Sequence, residues 1–282
     1  MKVFHAQSQL KQYLQAFLQA KQTIGFVPTM GAIHKGHLSL LQQAMNENDV
    51  VVLSIFVNPT QFNNAEDLEK YPRTLEKDLE LIQALSNKII VYAPTVDDIY
   101  EGKTVAQNFD YDGLDNEMEG ANRPGHFNGV GTIVKKLFEI TQPTKAYFGE
   151  KDFQQLQIIR KMVAKNNMKI DIVGCPIFRE ANGLAMSSRN ERLSEVAKDK
   201  AAVIYKTLQS AKDLFVEKDV KDVEVFVKTA FANNADFTLE YFIIADEASL
   251  KTATAKENSK QYRAFIVVHI EGVRLIDNIT LN

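Results

Sequence analysis

The chain is nearly without cysteine. Cys175 is the only one among 282 residues, which excludes an internal disulfide framework and any multi-cysteine zinc site. It sits in the apolar run Ile172-Val173-Gly174-Cys175-Pro176-Ile177, where a buried, unreactive thiol is expected. Long apolar runs are missing too. The longest, Val50 to Val57, is broken by Ser54 and falls far short of the roughly 20 residues that a membrane helix needs. Residues 1–10 hold no apolar stretch of the secretory type. The expectation is a cytoplasmic protein with no membrane contact. Nor is there an excess of positive charge. Lys plus Arg is 33 and Asp plus Glu is 36, a net charge of −3, which argues against a nucleic-acid partner. It leaves room for a small local anion pocket. Internal repeats, low-complexity tracts and a Gly-x-x-x-x-Gly-Lys-Ser/Thr phosphate loop are all absent.

What remains is an ordinary globular composition, 45% hydrophobic and 24% charged, able to bury a sizeable core. At about 150 residues per domain, the length suggests two domains. Strand-like and helix-like segments alternate from Thr23 to Cys175. Strands are predicted over Thr23–Pro28, Val50–Val57, Lys88–Tyr92, Ala146–Phe148 and Lys169–Cys175. Helices are predicted over Gly36–Asn46, Arg73–Leu85, Gly129–Ile140 and Asp152–Lys165. Leu75, Leu79, Ile82 and Leu85, for example, share one side of a helix whose other side is Glu and Lys. This alternation predicts an α/β fold, a Rossmann-like, doubly wound and mainly parallel sheet. After about residue 190 the order changes. Helices near Ser194–Val216 and Val220–Asn233 precede strands at Phe237–Ile244, Tyr262–Ile270 and Val273–Ile276, with Asp246–Gln261 left as a polar helix or loop. The expected division is 1–176, a Rossmann-like domain, and 177–282, a smaller α+β C-terminal lid.

The sharpest chemical signal is Pro28-Thr29-Met30-Gly31-Ala32-Ile33-His34-Lys35-Gly36-His37. It follows the first central strand and opens a helix, the crossing where doubly wound sheets bind ligands. Backbone N–H groups and the dipole at such a helix start attract phosphate. Gly31 permits a sharp turn and Gly36 a close backbone approach. His34 and His37 are spaced so that both can meet one phosphate chain. A zinc site on the same two histidines lacks an evident third ligand, so no bound metal is assigned. The second signal is Met186-Ser187-Ser188-Arg189-Asn190. Its hydroxyls and guanidinium suit polyphosphate, although alone it reads more readily as a helix cap. Asn58 and Gln61 lie beyond a strand end, as does Gly149-Glu150-Lys151-Asp152. Each could be a plain polar turn.

Taken together, the two signals resemble the signature pair of the class I nucleotidylyltransferase superfamily. Six longer stretches narrow this: Val27 to Gly31 with Phe56 to Phe62, Tyr71-Pro72-Arg73, Gly120 to Phe127, Phe148 to Leu156 and Arg274 to Asn278. In that order they resemble the pantoate–β-alanine ligase (pantothenate synthetase) family over nearly the whole chain, with departures at Ile33, Thr60 and Phe178. The resemblance implies ATP-dependent condensation of pantoate and β-alanine to pantothenate through a pantoyl adenylate, releasing pyrophosphate and AMP. It implies Mg²⁺ on the phosphates and a homodimer. Catalytic groups would be His34, His37, Lys151, Ser187, Ser188 and Arg189. ATP would also meet Met30, Gly31, Gly36, Gly149, Glu150, Asp152, Phe178 and Met186. Pantoate would lie on Pro28, Thr29, Gln61 and Gln155, and β-alanine near Asn58, Gln61, His126 and Arg189. With Arg123 added, His34, His37, Lys151 and Arg189 would form a cationic pocket. Rivals on the same fold are an adenylyltransferase that keeps AMP in its product, and a non-catalytic nucleotide sensor.

Overall fold

The structure is a computed structural model that describes residues 1–282. In chain order the strands are β1 Lys2–Phe4, β2 Ile24–Thr29, β3 Val50–Ile55, β4 Ile90–Tyr92, β5 Lys145–Gly149, β6 Asp171–Cys175, β7 Thr238–Asp246, β8 Tyr262–Ile270 and β9 Val273–Thr280. The α-helices are α1 Gln7–Gln19, α2 Lys35–Glu47, α3 Ala65–Lys70, α4 Leu75–Leu85, α5 Val96–Tyr100, α6 Met118–Asn122, α7 His126–Thr141, α8 Phe153–Lys165, α9 Glu195–Glu217 and α10 Val220–Ala232. No helix is long and apolar enough to cross a membrane. The chain forms two compact units, Met1–Glu150 with Gln154–Pro176, and Lys151–Phe153 with Ile177–Asn282.

The first unit is built on a six-stranded sheet in the order β1-β4-β3-β2-β5-β6, with every pairing parallel. The expected doubly wound α/β architecture is therefore present. Val50–Ile55 is apolar almost throughout because its strand is buried on both faces. Val27, Val51, Leu53 and Val91 pack on one face with Leu41 and Ala44 of α2 and Ile82 of α4. On the other face Phe26 meets Phe138 of α7 edge-on, with ring centres 6.0 Å apart.

From β2 the chain winds outward through β3 and β4, then returns to place β5 and β6 on the other side. The reversal lies between β2 and β5, where a doubly wound sheet opens a ligand crevice. Pro28 marks that opening. The carbonyls of Thr23 and Thr29 accept from β3 and its flank, while Ile24 O accepts from Thr144 N on the β5 side. Alternation puts Phe26 and Pro28 on that β5 side as well. The β2–β5 register stops at Phe26↔Ala146, because Pro28 has no N–H to extend it.

The second unit carries the antiparallel sheet β7-β8-β9. Glu271 (φ 50) and Gly272 (φ 72) form the two-residue turn between β8 and β9. One face is covered by α9 and α10 through Leu208, Phe215, Val223 and Phe231 against Ile244, Ile266 and Val268. The 246–261 segment contains turns and a short bridge but no helix.

Candidate active site

The turn after β2 is held in place by a buried carboxylate. Gly31 (φ 88) and Ala32 (φ 49) both take left-handed backbone, and a Cβ on Gly31 would come within 3.1 Å of Asp78 Oδ2. That carboxylate accepts from Ala32 N at 3.0 Å, Ile33 N at 2.8 Å and the Thr74 hydroxyl at 3.1 Å. Asp78 belongs to α4 and is 2% exposed. Asp78 is not among the residues expected from the sequence, although a signal is present: it stands three residues after Leu75 and four before Ile82, on the apolar face.

Beyond the turn, His34 has extended backbone and is the N-cap of α2. Its Nδ1 accepts from Gly36 N at 3.2 Å, and His37 Nδ1 accepts in return from His34 N at 3.4 Å. The two rings stack, with centres 4.0 Å apart and planes 22° apart. Nδ1 of each ring thus closes the helix cap. The pair lies at a helix start whose first turn holds no acidic side chain. That suits an anion.

Gln61 is the hub of a second cluster in the same unit. Asn58 N-caps the short turn Pro59–Gln61. Its Oδ1 accepts from the hydroxyls of Tyr100 at 2.6 Å and Thr60 at 3.1 Å. Its Nδ2 donates to Gln61 Oε1 at 3.2 Å and Gly129 O at 3.1 Å. Gln61 Nε2 lies 2.8 Å from Met30 Sδ. The Gln61 carbonyl accepts from His126 Nδ1 at 2.8 Å and from Arg123 at 3.4 Å, while Arg123 also reaches His126 Nε2 at 3.2 Å. Asn58 is 1% exposed, with both ends of its amide engaged inside the protein. Asn58, His126 and Arg123 thus brace Gln61. Of the expected cationic group, Arg123 takes part in the Gln61 brace. α7 comes close enough for this because Gly129 has no side chain; a Cβ there would sit 2.2 Å from Thr60 O.

At the end of β5, nothing in the protein lies within 4 Å of where a Gly149 Cβ would be, so the strand end is open to a ligand. Glu150 begins the turn that follows. Gln154 is committed internally, donating to Leu114 O at 2.9 Å and Glu117 O at 2.8 Å and accepting from Glu119 N at 3.0 Å. Its neighbour Gln155 is half-buried.

The other expected residues belong to the second unit. Lys151 Nζ lies 3.7 Å from Asp152 Oδ2, with the lysine side chain largely covered and the aspartate half exposed. Phe178 opens a narrow hairpin in which Met186 N donates to Phe178 O at 2.9 Å, and its side chain is 37% exposed. Ser187 Oγ caps the following turn by accepting from Arg189 N at 3.3 Å. Ser187, Ser188 and Arg189 are half-buried, while Asn190 is buried and donates to Ala185 O at 3.1 Å. Arg179, which the sequence reading passed over, anchors the hairpin by a paired bond to Asp277 at 2.7 and 2.9 Å. His34, His37, Gln61 and Gln155 thus lie in one unit and Lys151, Phe178 and Ser187 to Arg189 in the other.

A family model described as Pantoate-beta-alanine ligase matches residues 2–280. The chain is 61% identical over 281 residues to the pantothenate synthetase of Flavobacterium psychrophilum, covering 100% of both chains. The crystal structure of pantothenate synthetase from Thermus thermophilus is similar with a TM-score of 0.90 and 36% identity, covering 100% of this chain and 99% of that one. Pantoate-beta-alanine ligase from Francisella tularensis, crystallised in a complex with beta-gamma ATP and beta-alanine, is similar with a TM-score of 0.79 and 34% identity over 100% and 98% of the two chains.

Proposed function

The chain belongs to the pantoate-beta-alanine ligase family, whose members form pantothenate at the expense of ATP, and we propose how its own residues divide that work. Pantoate carboxylate attacks the α-phosphorus of ATP, giving pantoyl adenylate and pyrophosphate. The β-alanine amine then attacks the acyl carbon, releasing AMP. The paired imidazoles at the start of α2 carry this reading. A carboxylate is already ionised at pH 7, so the first step needs alignment and charge stabilisation, not a base. The His34 and His37 imidazoles, held in the cap at a helix N-terminus, supply that to the phosphates.

Lys151 and Arg189 add cationic charge, and Ser187 and Ser188 add hydroxyl donors. Met30, Gly31, Gly36, Glu150 and Met186 complete the nucleotide's surroundings. Gly149 and Asp152 take the ribose, and Phe178 offers its exposed ring to adenine. Pantoate lies along Pro28 and Thr29 with its polar groups on the carboxamides of Gln61 and Gln155, which donate and accept without adding charge. β-Alanine enters near Gln61 and Arg189. Asn58 and His126 serve it through Gln61, because their own polar atoms already bond within the protein. The groups assigned to the phosphates include no carboxylate, the side chain that Mg²⁺ favours. Mg²⁺ is therefore assigned to the nucleotide's own oxygens and water, and no step is routed through a protein-held metal. A homodimer in the cytoplasm, where ATP is available, completes the proposal.

A half-reaction assay tests it. With ATP and pantoate alone, about one equivalent of pyrophosphate per site is expected without free AMP; β-alanine then releases AMP and pantothenate. ADP formation, or AMP kept in the product, would overturn it.

A further inference from the structure

Two neighbouring side chains on β9 grip the two nucleotide-handling segments of the second unit. Asn278 Nδ2 donates to the carbonyl of Lys151 at 2.9 Å, across 127 residues of sequence. Asp277 receives the Arg179 guanidinium at 2.7 and 2.9 Å, and through it holds the hairpin that leads into Ser187 to Arg189. Consecutive side chains of a strand leave opposite faces, so one strand can reach both segments at once.

Each grip is braced. Asn278 Oδ1 accepts from Arg263 Nη1 at 2.6 Å. Arg263 also donates to Glu247 at 2.8 Å and to the Thr280 hydroxyl at 2.6 Å, and its plane covers the Phe153 ring at 3.9 Å. Arg179 lies 3.6 Å over the Tyr205 ring and donates to Gly183 O at 3.1 Å. Asp277 Oδ1 further accepts the backbone N–H of Asn278 at 2.8 Å. Asp277 and Asn278 are 4% and 2% exposed. Burying such groups is costly unless every bond is made, and stability alone would be served as well by packed apolar side chains. What apolar side chains could not do is fix a carbonyl and a guanidinium at set positions.

We propose that Asp277 and Asn278 are positioning residues for adenylate formation, setting Lys151 and the Ser187–Arg189 segment at a fixed separation. The proposal rests on the roles given above to Lys151 and Arg189. Asn278→Asp tests it, because the aspartate keeps the acceptor for Arg263 and removes the donor to Lys151 O. Pyrophosphate release with ATP and pantoate should fall by about tenfold to a hundredfold, as expected for a slightly misplaced group. Calorimetric pantoate affinity should stay within about twofold of the parent. In a Lys151→Ala background, Asn278→Asp should cost nothing further, since both act through one group.

Unchanged pyrophosphate release in Asn278→Asp, or losses that multiply in the double variant, would overturn the proposal. If Lys151→Ala itself keeps full pyrophosphate release, the reading of Lys151 fails instead. Should the aspartate not melt cooperatively, Asn278→Ala is measured in the same way. Failure of both to fold would make the pair structural and overturn the positioning role.

Discussion

His34 does two things at once. Its Nδ1 caps a helix, and in the proposed reaction its ring also meets the phosphates. The roles can be separated by substitution. Asparagine is among the best N-caps but lacks the reach and the second nitrogen of imidazole. His34→Asn should therefore keep the melting temperature within a few degrees while adenylate formation falls by about 10²–10³, the usual cost of losing one preorganised donor. Pre-steady-state pyrophosphate release beside a thermal melt checks both; equal rates in parent and variant would remove the imidazole from the chemistry. The same dual use explains what could be read before folding. The proposed anion site at His34-Lys35-Gly36-His37 is readable in the sequence, because the residue types and the spacing are local. Asp78 is equally important to that turn, but it stays hidden because an aspartate among Glu and Lys looks like a solvated face. Only its place in the apolar stripe gives it away.

Elements were legible where periodicity had room to show. Val50–Ile55, Leu75–Leu85 and Tyr262–Ile270 repeat their patterns over enough residues to reveal both type and burial. Helices of five or six residues such as α3, α5 and α6 cannot complete two turns, so their apolar stripe never repeats. α1 was missed for another reason: its exposed side is mostly glutamine rather than charge. The Gln61 brace is an element-scale feature too, since it depends on how closely α7 approaches the Pro59–Gln61 turn. Gly129→Ala places a methyl against backbone that has nowhere to go. It should destabilise by about 1–3 kcal/mol, the cost of overpacking, and should raise the KM for pantoate more than that for ATP. Denaturant melts and steady-state kinetics with each substrate varied give the check. Equal effects on both substrates would detach Gln61 from pantoate.

At the scale of the molecule, the near-absence of cysteine becomes useful. Cys175 ends β6, and burial pushes its thiol up to about 12. A folded-state pKa raised that far keeps the thiol protonated and unreactive throughout the neutral range. Iodoacetamide at pH 8 should therefore leave the folded protein unmodified and label one site per chain once the parallel-sheet unit unfolds. ATP with pantoate should slow labelling by about a hundredfold at a hundredfold excess over Kd, the equivalent of about 2.7 kcal/mol of added stability. Mass spectrometry over a denaturant series reads this directly; rapid labelling without denaturant would contradict the burial. The net charge of −3 carries a parallel lesson. It discourages a nucleic-acid reading, yet an average over the surface cannot reveal where a few donors converge.

The bond from Asn278 to Lys151 also has a consequence in time. A ribosome adding roughly 5–20 residues per second needs about 6 to 25 s to cover the 127 residues between them. Early in that interval β6 completes the strands of the parallel sheet, while Lys151–Phe153, which belongs to the second unit, still lacks its bond to Asn278. The lysine segment is thus finished by one of the last strands to emerge. A partly synthesised chain can hold its first unit well before it can set Lys151 in place, so the order of synthesis itself delays competence for the reaction.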